Sequence, residues 1–343
     1  MIEGAHNLIT QGYTRRKIRR ISVNIILLLL TVALCLVMLV YGKNTYSLST
    51  VLRVISGEKI QGASFTIGTL RLPRMLCGAL AGLAFGIAGN TFQTMLRNPL
   101  ASPDIIGISS GSSVAAVFCI LMLRMSGSRV AIAAVISGIL VAALIYLLSK
   151  GSSFSSSRLI LIGIGVQAMI NALISYLLAK ASQHDVGAAL RWLSGSLNGM
   201  QMEAVPKLLI VVLIGGTIIL SLTRELKVLE LGDEFSTTLG VKINLVRLLL
   251  ILSAVFLIAF ATSITGPIAF VAFLSGPIAA RLVGLGASNV LASGLVGAIL
   301  VLGADMLGQF AFGTRFPVGV VTGILGAPYM LFLLVLINRR GKA

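Results

Sequence analysis

The sequence predicts an all-α, polytopic integral membrane protein with about ten transmembrane helices. Of its 343 residues, 57% are hydrophobic and 11% are charged, and the mean hydropathy is +1.02. In a soluble domain roughly 25% of residues are charged, and a soluble fold would expose much of this apolar surface to water. The apolar runs are continuous over the ~20 residues that a helix needs to cross a bilayer. A transmembrane β-barrel has alternating segments of ~10 residues instead.

The apolar runs define the predicted spans. We predict spans, with boundaries accurate to a few residues, over 21–41, 72–96, 105–123, 129–149, 158–180, 205–223, 244–262, 268–284, 290–310 and 318–338. Residues 1–20 are predicted to form a cytoplasmic N-terminal tail, and residues 21–343 a single transmembrane domain. An even number of spans places both termini on the same side of the membrane.

Basic residues set the predicted orientation. The first apolar run has no cleavage site after it and is therefore interpreted as an uncleaved first helix rather than a secretory signal peptide. Five basic residues precede it, namely Arg15, Arg16, Lys17, Arg19 and Arg20. With ten spans, the segments on the side of the termini carry more Lys and Arg than the opposite segments, which predicts cytoplasmic termini.

Two compositional features could suggest other functions, but membrane topology explains them better. The net charge is +17, yet the basic residues are scattered between apolar runs rather than gathered with aromatic residues on one surface, as nucleic-acid binding requires. Cys35, Cys77 and Cys119 lie inside apolar runs without a CxxC pair. We interpret them as small buried residues and predict no metal site and no cofactor.

Small residues form two rows at four-residue spacing. Gly78, Gly82 and Gly86 lie in the second predicted span, and Gly319 and Gly323 in the tenth. Small residues at this spacing let helix backbones approach closely, so we predict helix packing at both rows.

The string Gly107-Ile-Ser109-Ser-Gly111 matches the nucleophile elbow of hydrolases. That elbow requires a strand before the serine, a helix after it and a histidine partner. The two histidines are His6, in the N-terminal tail, and His184, predicted on the opposite side of the membrane. A flexible start to the third span is therefore the better interpretation.

Asp305 is an acidic residue inside the ninth predicted span. A charged group at the bilayer centre costs ~2.5–3.5 kcal/mol on insertion scales, so it should face protein or water. One interpretation is a proton relay in a proton-coupled secondary transporter. The other, which we favour, is an interior hydrogen-bonding role near the outer end, because a proton pathway usually needs a chain of such groups.

Two arginines open the second span on the predicted outer side, in the string Arg71-Leu-Pro73-Arg74. They are three residues apart, so they lie near one face of the helix. They could anchor the helix at the membrane interface or dock an acidic soluble partner. The residues alone leave both interpretations open.

A polar segment between the sixth and seventh spans is predicted to form two helical turns broken by glycines, from Leu231 to Gly240. It is amphipathic and long enough to bind a partner, although an ordinary solvated loop is the alternative. The chain has no GxxxxGK[ST] phosphate-binding loop, so any ATP chemistry must come from another subunit.

In their order and spacing, several strings resemble the FecCD/BtuC-type permeases, the membrane subunits of type II ABC importers for ferric siderophores, haem and cobalamin. The resemblance extends from about Arg71 to Pro328. The strings are Arg71-Leu-Pro-Arg74, Gly89-Asn-Thr-Phe-Gln93, Arg97-Asn-Pro-Leu-Ala101-Ser-Pro103 followed by Gly107, Trp192-Leu-Ser-Gly195-Ser196, Leu231-Gly232 through Leu239-Gly-Val241, Gly266-Pro-Ile-Ala-Phe-Val271, Asp305, Pro317-Val-Gly-Val-Val-Thr322 and Gly326-Ala-Pro328.

The resemblance implies a BtuC-like fold of ten helices in a multi-pass subunit of the bacterial cytoplasmic membrane. It implies a second permease subunit, two ATP-binding subunits and an extracytoplasmic substrate-binding protein. Ferric siderophore is the expected cargo, haem or cobalamin the alternatives, and no covalent chemistry is expected in this chain. The implied site residues fall into three groups: Arg71, Arg74 and Arg315 for docking the binding protein; Leu231, Gly232, Asp233, Glu234, Leu239 and Gly240 for coupling to the ATPase; and Gln93, Asn98 and Pro99 for the translocation path or its gate.

The sequence departs from the family pattern at two places. Gly276-Pro277 stands where the family has Pro-His, with Arg281 displaced by one position. Gln309 stands where the family often has an arginine, and Arg315 could replace that charge. These departures put the third docking contact, at Arg315, in question. They also suggest that this chain is the less typical of the two permease subunits in a heterodimer.

Overall fold

The computed structural model describes residues 2–151, 155–284 and 288–340, and every regular element in these ranges is helical. A π-helical turn covers Phe65–Arg71 and a 3₁₀ turn covers Pro103–Ile106. The α-helices are α1 (Ile2–Val40), α2 (Leu48–Ile55), α3 (Leu72–Met95), α4 (Ile108–Leu121), α5 (Ser128–Ser149), α6 (Ser156–Lys180), α7 (Gln183–Leu193), α8 (Ala204–Ser221), α9 (Thr223–Leu229), α10 (Asp233–Thr238), α11 (Ile243–Thr265), α12 (Val271–Val283), α13 (Val290–Phe310) and α14 (Val318–Arg340).

Each predicted span coincides with a helix, which confirms the all-α membrane fold. Seven helical segments are long and apolar enough to cross a bilayer: Gly12–Val40, Phe65–Met95, Ser128–Ser149, Ser156–Lys180, Ala204–Ser221, Ile243–Thr265 and Val290–Phe310. The other three predicted spans fall on shorter apolar helices, which are Ile108–Leu121, Val271–Val283 and Val318–Leu333. The number of ten crossings therefore stays a prediction.

The first helix is longer than the span predicted for it. α1 has 39 residues and includes most of the predicted tail, so at 1.5 Å per residue it extends about 58 Å. In its first half, Arg19 donates hydrogen bonds to the carbonyl oxygens of Arg281 and Leu282, both at 3.0 Å. These carbonyls lie at the C-terminal end of α12, where a cation is favourable.

Helix α3 lies at the centre of the fold and packs against α8, α11, α12 and most extensively α13. A Cβ at Gly86 would lie 2.1 Å from the carbonyl oxygen of Ser293, and one at Gly297 would lie 2.1 Å from that of Gly82. Both distances are far below van der Waals contact, so only glycine permits this approach. The first glycine row therefore packs α3 against α13, as predicted.

The second glycine row behaves differently at its two positions. A Cβ at Gly319 would lie 2.2 Å from the carbonyl oxygen of Ser194. Gly323 has no heavy atom within 4 Å of the corresponding point. The prediction of packing is thus confirmed at Gly319 and wrong at Gly323 within the described part of this chain.

The hydrolase interpretation of Ser109 finds no support in the fold. A 3₁₀ turn rather than a strand precedes the serine, and Gly107 adopts a left-handed φ of 70° at the start of α4. The Ser109 hydroxyl donates to the carboxylate of Asp104. His184 belongs to α7, and the side chains of both His6 and His184 lie outside the described residues.

The helix ends form two clusters, which we name by a residue in each. The Arg71 end contains the end of α1 and the start of α3, together with Asp305 of α13. The Asp233 end contains Arg97 after α3, the start of α10 and the start of α11. In the predicted topology the Arg71 end is outside and the Asp233 end is inside.

Candidate functional site

The loop between α8 and α11 has a fixed conformation at the Asp233 end. Gly232 has a φ of 110°, which separates α9 from α10 and is unfavourable for a residue with a side chain. Ser236 of α10 is fully buried and donates to the carbonyl oxygens of Val228 (2.9 Å) and Gly232 (2.6 Å). These bonds hold α10 against the end of α9, so the loop can present its outer side as one surface.

The exposed side of this loop is apolar. Leu231, Phe235 and Leu239 have 61%, 65% and 62% of their surface exposed, and we name them the apolar row. Phe235 and Leu239 are four residues apart and therefore share a side of α10, while Leu231 lies just before its first turn. Clustered exposed apolar residues rimmed by polar ones are typical of an interaction surface. Leu231 and Leu239 were predicted as part of this site from the sequence, whereas Phe235 was not, although its four-residue spacing from both is evident in the sequence.

Asp233 connects this loop to two central helices. Its carboxylate accepts hydrogen bonds from Nη2 of Arg247 at 3.0 and 3.1 Å and from Nη2 of Arg97 at 3.3 Å. The Arg247 side chain, near the start of α11, is 4% exposed, whereas Arg97 is half-exposed and follows α3 with a φ of 53°. Because a buried charge is tolerated only when it is paired, Asp233 compensates the charge of Arg247.

Two ionisable groups beside the loop have shifted pKa values. Partial desolvation raises the pKa of Glu230, and the positive charge of Lys227 opposes this shift. Partial desolvation also lowers the pKa of Lys227, as does repulsion from Arg20 of α1.

Gln93 is buried between α3 and α12, where it compensates for a proline. Its side-chain amide donates to the carbonyl oxygen of Phe273 at 2.8 Å. Phe273 precedes Pro277 by four residues, and a proline inside a helix has no N–H for that carbonyl. Gly276 provides the space, since a Cβ there would lie 1.9 Å from Oε1 of Gln93. The departure at Gly276-Pro277 is thus matched by Gln93.

We predict that Gln93 and Pro277 are energetically coupled. Gln93→Leu should destabilise the protein by about 1–3 kcal/mol, because it leaves the Phe273 carbonyl without a donor. In a Pro277→Ala background the cost should be smaller, because the new N–H can bond that carbonyl. A double-mutant cycle on thermal unfolding in detergent measures the coupling. Strictly additive effects would contradict this account.

Asn98 and Pro99 form the turn that follows α3. The Asn98 side-chain oxygen accepts a hydrogen bond from the backbone N–H of Leu100 at 2.9 Å. The backbone N–H of Asn98 donates to the backbone carbonyl oxygen of Gln93 at 3.0 Å. Pro99 is exposed at the Asp233 end. Buried Gln93 and this turn are therefore adjacent, and their role in a translocation path stays a prediction.

At the opposite end of the fold, the Arg71 side chain caps the first helix. Its guanidinium donates to the carbonyl oxygens of Leu39 (2.7 Å), Val40 (3.0 Å) and Asn44 (2.6 Å) and lies 5.3 Å from the centre of the Tyr46 ring. Carbonyls at the end of a helix lack intrahelical donors, so Arg71 satisfies the end of α1.

Arg74 forms a two-point ion pair with Asp305. The arginine donates through Nε at 2.8 Å and through Nη2 at 2.7 Å, and the aspartate side chain is 1% exposed. Gln309 donates a further bond to Asp305 at 2.8 Å. These contacts agree with the interior hydrogen-bonding interpretation of Asp305 and give Gln309, the second departure, a role as its partner.

Arg315 differs from the other two predicted docking residues. Its side chain is exposed, and the ion pairs found within the described ranges do not include it. It lies on the wall of a large cavity that also reaches Arg74. Of the three arginines, Arg315 is therefore the one without a side-chain hydrogen bond or ion pair to the described residues.

Three of the sequence motifs meet at the Arg71 end through glycines. A Cβ at Gly195 would lie 2.3 Å from the carbonyl oxygen of Pro267, and one at Gly266 would lie 2.3 Å from that of Trp192. Both glycines have positive φ values, of 63° and 71°. The backbone of Gly319 donates to the carbonyl of Gly195 at 3.1 Å. These strings, far apart in sequence, form one tightly packed junction.

The apolar helices, with ion-paired and capped helix ends on one side and an exposed apolar loop on the other, define the chain as a multi-pass membrane protein. The chain belongs to the FecCD transport family, whose model matches residues 28–336. The resemblance drawn from the sequence motifs is thereby confirmed.

Individual relatives cover almost the whole chain. It is 35% identical to the ferric enterobactin transport system permease protein FepG of Escherichia coli, over 91% of this chain and 96% of that protein. It is 36% identical to the Fe(3+)-citrate import system permease protein YfmE of Bacillus subtilis, over 94% and 97%. A solved structure, titled "An inward-facing conformation of a putative metal-chelate type ABC transporter", matches with a TM-score of 0.82 and 27% identity, over 92% of this chain and 99% of that one.

Proposed function

We propose that this chain is the permease subunit of a binding-protein-dependent ABC importer that carries ferric siderophore into the cytoplasm, using ATP hydrolysed by a separate subunit. The observation that carries the proposal is the exposed apolar row on a loop tied by Asp233 to central helices. A partner that binds such a loop can displace it, and the contacts of Asp233 then transmit the displacement to the membrane-spanning helices. The names of the iron-chelate permeases among the relatives support the cargo.

The proposed assembly contains a second permease subunit, which is a paralogue or another copy, two ATP-binding subunits and an extracytoplasmic binding protein. The chain resides in the bacterial cytoplasmic membrane with both termini inside. In that orientation the Asp233 end meets the ATPase and the Arg71 end meets the binding protein.

The contacts of Asp233 suggest how the motion is transmitted. When the ATP-binding subunits close, they displace α10 through the apolar row. Asp233 carries this displacement to Arg247 on α11 and to Arg97 after α3. Arg97 is followed by Asn98 and Pro99, so movement of α10 reaches the proposed gate directly.

Polar replacement of the apolar row should weaken the assembly with the ATPase. Phe235→Ser combined with Leu239→Ser removes two large exposed apolar side chains, each contributing up to about 1.5–3 kcal/mol when buried. Co-purification of the ATP-binding subunit should fall at least tenfold. Thr237→Ala, on the same short helix, is the matched control and should leave the complex intact. Equal recovery of ATPase with both variants would contradict the proposed interface.

Mutation of Arg71 or Arg74 would not test docking alone, because both side chains make contacts within the fold. Charge reversal at Arg71 or Arg74 would also break the cap of α1 or the pair with Asp305. Arg315→Glu removes an exposed charge without a structural contact of that kind, so we expect weaker binding of the loaded binding protein and a normal unfolding temperature. Lys59→Glu, which reverses another exposed charge, is the control for this charge reversal. Arg53→Glu is unsuitable as a control, because it would break a surface ion pair with Glu58. Unchanged affinity in Arg315→Glu would remove this residue from the docking surface.

Reconstitution tests the proposed function as a whole. The permease pair, the ATPase and the binding protein are placed in liposomes and offered ferric siderophores, haem and cobalamin. The proposal predicts uptake of a ferric siderophore that requires ATP. Uptake of haem or cobalamin alone would support the alternative cargo, and uptake that persists without ATPase but stops with an uncoupler would support a proton-coupled transporter.

A further inference from the structure

A large cavity opens among the helix ends at the Arg71 end of the fold. Its volume is about 1000 Å³, at the upper end of the ~300–1,000 Å³ typical of small-molecule sites. The starts of α5 and α8, the ends of α7 and α11 and the segment just before α14 form its walls. The apolar part includes Ile132, Ile136 and Phe260, and the polar part includes Asn198 and Gln201. This mixture suits an organic ligand with several polar groups.

The charge of the cavity is strongly one-sided. The cations on its wall are Arg74, Arg191, Lys207 and Arg315, whereas the acidic residue among them is Glu203. Arg74 is neutralised by Asp305. The other three cations are exposed and form no ion pair in the portion of the chain that the structure describes. A concave site lined by charges of one sign concentrates ligands of the opposite sign.

We propose that this cavity binds anionic ferric chelates, those whose carboxylate or catecholate groups leave the complex negatively charged, before they pass through the membrane. Carboxylate oxygens are the favoured partners of arginine, through two parallel hydrogen bonds. The inference rests on the proposed import function. It narrows the expected cargo to anionic chelates, because the cations of the cavity would repel a cationic chelate of similar size. Arg191 and Lys207 are the specificity-determining residues, since neither takes part in the proposed docking.

The cavity contains its own reporter, because Trp192 lines it and is the single tryptophan of the sequence. The full-length chain in nanodiscs of zwitterionic lipid is titrated with ferric citrate or with the cationic ferrioxamine B, while Trp192 emission is recorded. We expect saturable quenching by ferric citrate, with a Kd at least tenfold lower than that for ferrioxamine B. The Kd should rise with salt, because salt screens exposed charges.

Charge-neutralised variants separate specific binding from optical effects. Arg191→Gln with Lys207→Gln should raise the Kd for ferric citrate at least tenfold. Lys150→Gln with Arg224→Gln, which removes the same charge at the other end of the fold, should leave it unchanged. Equal quenching by both chelates, linear quenching, or displacement of ferric citrate by added phosphatidylglycerol would overturn the proposal. The assay uses neither ATP nor binding protein, so its failure is distinguishable from failure of the import function.

Discussion

Replacing Asp233 with asparagine is expected to lower ATP-dependent uptake by the assembled transporter at least tenfold. The change keeps the size of the side chain but removes the charge that pairs with Arg247 and Arg97. Hydrogen bonds to charged groups contribute ~1.5–3 kcal/mol, and each 1.4 kcal/mol corresponds to a factor of about ten. The buried Arg247 also loses its counter-charge, although the half-exposed Asp233 admits water that reduces this cost.

The adjacent acidic residue supplies the matched control. The resemblance groups Glu234 with the coupling residues, but its side chain is exposed and, unlike Asp233, takes part in none of the ion pairs among the described residues, so Glu234→Gln removes an equal charge from the same loop without breaking such a pair. We expect Glu234→Gln to retain uptake and Asp233→Asn to hydrolyse ATP while transporting little. The measurement is uptake per ATP hydrolysed in proteoliposomes. If the two variants lose uptake equally, uptake depends on the total charge of the loop rather than on the ion pairs of Asp233, and the proposed link is contradicted.

The second large effect is expected at Gly297, where leucine should prevent α13 from packing against α3. A side chain at this position meets the Gly82 carbonyl oxygen at 2.1 Å and the Gly86 Cα at 3.1 Å. Neither backbone can move away without separating the two central helices, so the cost should exceed the ~1–3 kcal/mol typical of overpacking. We expect little folded protein in the membrane.

Gly303→Leu provides the comparison within the same helix. Gly303 is on α13 too, but no heavy atom of the residues that the structure describes lies within 4 Å of the position that a Cβ would occupy there. The same substitution should therefore leave the yield and the elution profile in size-exclusion chromatography close to those of the unchanged protein. Normal yield and stability for Gly297→Leu would show that α3 and α13 do not approach as closely as described.

The helices could be predicted from the sequence because the signal is local. Each continuous apolar run coincides with a helix, seven of which are long and apolar enough to cross a bilayer, and the glycine spacing on α3 indicated its packing. The extension of α1 through residues 2–20 was missed, since that segment is polar and its helix continues beyond the apolar run. The packing expected at Gly323 does not occur within the described residues of this chain, because spacing alone cannot show whether a neighbour lies opposite.

The chemistry of the site depended on contacts between distant residues. Arg74 and Asp305 are separated by 231 positions, and Gln93 and Phe273 by 180. No local pattern relates such pairs, so Arg74 was assigned to docking and Gln93 to the path without their partners. The loop was identified as a partner-binding segment from its glycines and its amphipathic pattern, but its link through Asp233 to Arg247 required the fold.

The most direct measurement of the central claim is the side of the membrane on which the apolar row lies. In a variant with Cys35, Cys77 and Cys119 replaced by alanine, Thr238→Cys is treated with a membrane-impermeant maleimide in intact cells and in opened membranes. Asn44→Cys, at the Arg71 end, is the opposite control. The account predicts that Thr238→Cys reacts only after the membranes are opened and that Asn44→Cys reacts in intact cells. Reaction of Thr238→Cys in intact cells would place the loop outside, where a cytoplasmic ATPase cannot reach it.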